Sequence, residues 1–288
     1  MSYTFLPGST LSIDIDGSGY AINPESFTVS QTFQETNFSL KTLQDRTMIE
    51  ESLVQKIATG SFNFSYYLSD VHTDDGFIWE WFGLTKSSSR YNINSVMADA
   101  PIMGTIYLNT LDGKKVKVEN AVIETLDLEF GPDTITKVSL SGSASLISTI
   151  DSFTLSTATK TGTYLGAHPV IITEGATDIQ GIINKSLSLR KGIEWLDQPT
   201  VHSVEAGEIY VPTIPYQTDL SVTGRYTYVL TDNELTANID TLEIDCGILE
   251  IHLGSCSITG RMDIEQYLVK TRDFKLKPGS TSYIQYNS

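Results

Sequence analysis

Residues 27–69 read FTVSQTFQETNFSLKTLQDRTMIEESLVQKIATGSFNFSYYLS, and the fold turns on this stretch. It opens with Phe27 and Val29, then Phe38 and Leu40, spaced among Thr, Ser and Gln. It closes with Phe62, Phe64 and Tyr66 alternating with Ser61, Asn63 and Ser65. A period of two puts apolar side chains on one face and polar ones on the other, which predicts half-buried antiparallel strands. Between them, residues 41–60 form a connection far longer than the roughly 2–5 residues of a hairpin loop. This connection has no Pro, its only Gly is terminal, and Leu43, Met48, Ile49, Leu53, Val54 and Ile57 are apolar. So much apolar surface needs something to lie on, and a lone sandwich offers nothing. The reading is an arm that packs on a neighbouring copy.

The rest of the composition narrows the class. The 288 residues are 40% hydrophobic and 19% charged, as in a globular chain of one large or two ordinary domains. The net charge is −16, with −9 in residues 1–150 and −7 in the remainder, so no acidic tail accounts for it. Such a chain repels a nucleic-acid backbone. No 18-residue apolar run predicts a transmembrane helix, so no membrane insertion is expected. The first residues, MSYTFLPGSTLSIDIDGSG, lack the basic and apolar regions of a signal peptide. Two Cys predict assembly in a reducing compartment without a disulfide framework.

Outside the opening stretch the same strand pattern continues. LSIDIDG (11–17) reads as a strand and turn; a calcium loop there would need a carboxylate where Asn23 stands. In HTDDGFIWEWFGLT (72–85), Phe77, Ile78, Trp81 and Phe82 make a helical stripe, Asp74 or Asp75 can cap it, and Gly83 ends it. GTIYLNTLDGKKVKV (104–118) is a hairpin around Asp112-Gly113. AVIETLDLEF (121–130) sets Leu126, Leu128 and Phe130 against Thr125, Asp127 and Glu129, and residues 134–148 give a further strand. The Ser/Thr-rich bridge 152–169 marks the boundary between two halves. SLSLRKGIEWL (186–196), residues 208–233 and the paired strands 238–246 and 247–264 then repeat the order of the first half. No second FIWEWFG helix follows Asn233.

The chemical inventory is thin. The four His, at 72, 168, 202 and 252, are scattered, and Cys246 and Cys256 have no second pair, so no metal or cofactor is expected. There is no G-x-S-x-G, GxGxxG or Walker loop. Carboxylates abound, but in so acidic a chain spacing cannot separate a catalytic pair from solvated faces. No enzyme is expected.

The order of alternating strand, apolar-studded arm, FNFSYYLSD, FIWEWFG helix, DG hairpin and KVSLSGSASLI resembles the tail tube proteins of long-tailed bacteriophages. TIPYQTDLSVTGRYTYVLTDN after KSLSLRKGIEWL resembles the second tube domain of the duplicated siphophage subunits. The resemblance spans about residues 10–275 and rests on pattern, not on invariant chemistry. It implies a mainly β chain of two tandem tube-like β-sandwich domains, 1–151 and 152–288. Each would have two antiparallel sheets, and the first a flanking helix. It implies trimeric, pseudo-hexameric rings stacked into a tube in the virion tail, assembled in the host cytoplasm. The lumen would hold a tape-measure protein and then viral DNA, without specific binding, and the ends would meet tail terminator and baseplate proteins. In the arm 41–60, Met48, Ile49, Leu53, Val54 and Ile57 would pack on the next ring, with Arg46, Glu50, Glu51 and Lys56 fixing register. The connection 197–207 would be its partner. An acidic bore would let a duplex slide, with Asp127 and Glu129, and Glu243 and Asp245, facing the lumen. Two rivals are a tube-initiator or baseplate-hub ring, and a β-rich carbohydrate-binding or adhesion module using Trp79, Trp81, Trp195 and the Tyr residues.

Overall fold

The computed structural model describes residues 2–4, 10–40, 49–93, 100–109, 113–131, 134–153, 162–165, 170–196, 211–230, 241–264 and 268–287. In the first half the strands are β1 (Ser2–Thr4), β2 (Thr10–Ile15), β3 (Ser18–Ile22), β4 (Ser26–Ser30), β5 (Phe33–Leu40), β6 (Ile49–Ile57) and β7 (Gly60–Tyr67). The helix α1 (His72–Phe82) follows, then β8 (Thr85–Ser87), β9 (Arg90–Asn92), β10 (Gly104–Asn109), β11 (Lys115–Gly131), β12 (Thr134–Ala144) and β13 (Leu146–Thr149). The second half holds β14 (Ile171–Glu174), β15 (Thr177–Ile179), β16 (Ile182–Trp195), β17 (Pro215–Val229) and β18 (Leu242–Asp245). It closes with β19 (Leu249–Leu253), β20 (Cys256–Ile264), β21 (Leu268–Leu276) and β22 (Tyr283–Tyr286).

All these pairings are antiparallel, and they make two large sheets. One, of 13 strands, runs β1-β4-β7-β12-β11-β16-β17-β21-β20, with β10, β2, β3 and β13 branching off β11. The other, of 7 strands, runs β15-β14-β18-β19-β22-β9-β8. The branch exists because β11 is one long strand, not the two that the sequence suggests. Residues 115–119 pair with β10 and β13. Asn120 then takes a positive φ of 51°, and residues from 122 onward pair with β12 and β16. Asn tolerates that left-handed conformation better than a branched residue would, so the strand changes layers there.

The alternation predicted around Phe62 holds. Phe27, Phe64, Leu140, Leu126, Leu189 and Val222 are neighbours across the long sheet, and all are buried. They belong to one continuous hydrophobic cluster that spans both halves. Full burial of each such side chain stabilises the fold by about 1.5–3 kcal/mol. The Asp-Gly hairpin is also present, with Leu108 opposite Val116 and Gly113 at φ 80°, while Asp112 lies outside the described residues.

The second half pairs its strands in the order of the first. The hairpin β2–β3 and its partner β10 are answered by β14–β15 and β18, and β4–β7–β12–β11 by β16–β17–β21–β20. Strand-end bonds agree: Leu68 N donates to Thr136 O and Leu230 N to Leu268 O, while Ser145 N donates to Glu119 O and Lys277 N to Ser255 O. One packing exchange follows the same correspondence. Gly142 stands opposite Phe62, where a Cβ would lie 2.7 Å from the ring, and Gly224 stands opposite Phe274, where a Cβ would lie 2.2 Å from it. In each half backbone closes the same space, with Val122 O 2.0 Å and Ser186 O 2.5 Å from the added Cβ, so only Gly fits.

The helix sits at the junction of the halves. It begins after Val71, which makes no side-chain cap. Asp74 and Asp75 lie inside the first turn, not before it, so neither caps; Asp74 instead accepts from Gly162 N at 2.6 Å and Asp75 from Ser69 N. Gly83 closes the helix at φ 104°. Trp81 donates to Ala121 O at 3.2 Å, Trp79 to the hydroxyl of Tyr286 at 3.4 Å, and Lys191 Nζ to Phe82 O at 2.8 Å. The hairpin β8–β9 then extends the second-half sheet through β22.

Lys191 gives this junction a pH signature. Burial pushes its ammonium down from 10.5 to about 7, partly offset by Glu124. Between those values the unfolded chain binds a proton that the folded one lacks, so stability rises with pH across that window. Lys191→Met is expected to flatten this rise and to stabilise the fold at acid pH by about 1–3 kcal/mol. Urea midpoints of both proteins on either side of neutrality check it; equal slopes would contradict it.

Candidate functional site

The long sheet presents one face that no other element covers among the described residues. Its side chains are those that alternate with the core set. One row across the strands is Ser26, Ser65, Ser139, Asp127, Ser188, Thr223, Lys275 and Ser257. The next is Tyr67, Lys137, Glu129, Ser186, Arg225, Asp273 and Thr259. Both rows cross from the first half to the second without a break because β11 pairs directly with β16, Asp127 opposite Ser188 and Leu128 opposite Leu187. A shallow depression of about 450 Å³ lies on this face, bordered by Ser186, Thr223, Arg225, Thr259 and Lys275.

Hydroxyls dominate the face, and its charges are of both signs. Lys137 meets Glu25 at 2.7 Å, Arg225 meets Asp273 at 2.6 Å and Arg261 meets Asp263 at 3.1 Å. The hydrogen bond from Lys137 holds the Glu25 carboxyl below its ordinary range, and that same bond raises the ammonium. Arg190 donates to Ser188 Oγ at 3.1 Å. These pairs are exposed, so they add little stability. Their effect is to neutralise Lys137, Arg225 and Arg261, which weakens any hold of this face on a phosphate chain by counterion release.

Of the acids expected in a bore, Asp127 and Glu129 lie on this face, near its middle. Glu243 and Asp245 do not join them. They stand on β18 in the 7-stranded sheet, on the side away from buried Leu242 and Ile244. Glu243 lies 4.0 Å from His252, and Asp245 accepts from Gly247 N at 2.7 Å. The reason is the pairing order. β18 stands in the order where β10 does, and β10 branches off the long sheet; the strand that runs in the long sheet beside β21, as β11 does beside β12, is β20, where Arg261 and Asp263 occupy the positions matching Asp127 and Glu129.

Within the arm, Arg46 and Met48 lie outside the described residues, as do residues 197–207. The remainder is more ordered than a connection: Ile49, Glu50, Glu51, Leu53, Val54, Lys56 and Ile57 form β6, paired with β5 as a two-stranded sheet of its own. Its base is tied to the body. Ile57 is buried, Ala58 N donates to Thr32 O at 3.1 Å, and Gln31 Nε2 donates to Ala58 O and Ser145 O at 3.0 Å each.

Other chemistry is weak. Trp79 and Trp81 are fully buried, so they offer no sugar platform, and Trp195 donates to Ser143 Oγ at 2.8 Å. Burial pushes the Cys246 thiol up to about 12 and the Cys256 thiol up to about 11, which makes both poor nucleophiles. Among the described residues no cluster of His, Cys, Asp and Glu could hold a metal ion, and no helix is long and apolar enough to cross a membrane.

No curated protein matches the chain. The chain thus presents a hydroxyl-rich sheet face together with a separate two-stranded hairpin of β5 and β6. With residues 1–287 matched by the model of the Bacteriophage Baseplate Tube Protein Family, the chain belongs to that family of structural virion proteins.

Proposed function

We propose that the chain is a non-enzymatic duct subunit whose copies close into rings around a bore lined by the open face of the long sheet. The observation that carries this reading is the continuity of that sheet across both halves, with one face buried from β4 through β17 and the other mostly open. A long sheet with two ends is an aggregation hazard unless it closes on itself or on copies of itself. The repeated pairing order supports residues 1–151 and 152–288 as two tandem tube-like units. Three chains then supply six units in a pseudo-hexameric ring.

In this arrangement Asp127 and Glu129 face the bore, while Glu243 and Asp245 face outward. The bore is smooth because hydroxyls and paired charges bind neither a tape-measure protein nor DNA specifically. The hairpin of β5 and β6 reaches onto the next ring, with Arg46, Met48, Ile49, Glu50, Glu51, Leu53, Val54, Lys56 and Ile57 at that contact. Tail terminator and baseplate proteins meet the ends of the tube, and the subunit assembles in the host cytoplasm before entering the virion tail. The family's description as a baseplate tube also favours a second reading, a single initiator ring at the end of the tail.

Sedimentation and negative-stain images of the purified chain separate these readings. Stacked rods are expected for a tube segment and closed single rings for an initiator. A persistent monomer at high concentration would contradict both.

A further inference from the structure

The long sheet ends at β20, whose second edge carries no strand among the described residues. Near that edge Met262 and Ile264 are 55% and 86% exposed. The internal repeat says what they lack. Leu128 stands opposite Val138 and Met262 opposite Lys270, and the strand-end bonds make Val138 and Lys270 counterparts. Met262 and Ile264 therefore hold the positions of Leu128 and Phe130, which are 0% and 3% exposed because β16 pairs with β11 there. The counterpart of β16 is β4. Leu187 stands opposite Gly224, and Val29 stands opposite Phe62, the counterpart of Gly224.

At the same edge of β4 lies the three-residue β1, with Ser2, Tyr3 and Thr4 opposite Ser30, Val29 and Thr28. We propose that β20 pairs antiparallel with β4 of a second copy of this chain, Met262 opposite Val29 and Arg261 opposite Ser30, and that β1 is a placeholder displaced when it does. This rests on the ring reading and adds to it an edge, a register and a gate. The intrachain junction of β11 and β16 is the template for the contact. A ladder of four pairs, residues 27–30 with 261–264, replaces the three pairs made by β1, and two apolar side chains leave water. Until then β1 keeps the β4 edge from pairing with a wrong partner.

The full-length variant Ser30→Cys/Arg261→Cys tests the register with a short bis-maleimide, because native Cys246 and Cys256 are buried. Covalent multimers are expected from the double variant and none from either single one. Asp127→Cys/Ser188→Cys, at the template junction, is the matched control and is expected to link only within a chain. Rings by sedimentation without this link, or with a link from residue 261 to Tyr3→Cys instead, would overturn the proposal and leave the ring reading standing. Absence of any assembly would overturn both. Deleting residues 2–4 is expected to lower the concentration for half-assembly by about tenfold, corresponding to a lost competing ladder of about 1.4 kcal/mol. An unchanged or higher concentration would contradict the placeholder.

Discussion

Changing Ile49 and Val54 together to Asp is expected to leave soluble rings and to abolish rods. Both positions lie on β6, Ile49 opposite Leu40 and Val54 opposite Glu35, in a hairpin that pairs with neither large sheet. A two-stranded hairpin is marginally stable alone in water and needs a hydrophobic surface to rest on. Its base is anchored by Gln31 and buried Ile57, so two charges placed beyond the base should spare the fold. The same charges would be buried without partners wherever the hairpin docks on a second ring, at a cost of several kcal/mol each. Negative-stain length distributions of wild type and double variant measure this. Rods of ordinary length from the variant would remove the hairpin from the stacking contact.

Trp81→Ala is expected to cost about 3–5 kcal/mol of folding stability. The indole is fully buried, stacks on Phe62 at 6.1 Å with 4° between planes, and donates to Ala121 O. It also fills the space beside Gly104, where a Cβ would come within 3.1 Å of it. Truncation therefore leaves a cavity and a carbonyl without its donor at the place where α1 joins the body. Trp195→Ala, on a half-exposed side chain, is expected to cost about 1 kcal/mol. Urea unfolding of the three proteins checks both figures. Equal small losses would mean that the helix is peripheral to the junction.

The contrast between those two Trp residues shows where sequence reading succeeds. Strict alternation in Phe62, Phe64 and Tyr66, and in Leu126, Leu128 and Phe130, makes the strands and their buried faces legible, because one-residue slips would expose the whole set. Helical spacing places Trp81 correctly in a core. The arm is only partly legible: residues 49–57 alternate too loosely to read as a strand, although they form β6 opposite β5. Tertiary relations are the hidden part. Nothing local shows that β11 turns between layers at Asn120, or that β9 pairs with the distant β22. That the four expected lumen acids divide between two sheets is hidden for the same reason. Glu243 and Asp245 match the acid pattern of Asp127 and Glu129, but β18 pairs as β10 does and lies in the 7-stranded sheet, while β20 is the strand in the long sheet. Net charge alone also hides that the open face sets Glu25, Asp263 and Asp273 against Lys137, Arg261 and Arg225.

A cryo-EM reconstruction of the assembled particle tests the central claim most directly. It is expected to show three chains per ring, with Ser139, Asp127 and Ser188 in one continuous row on the bore wall and Glu243 on the outside. A ring with the 7-stranded sheet facing the bore, or an assembly with no closed bore, would contradict it.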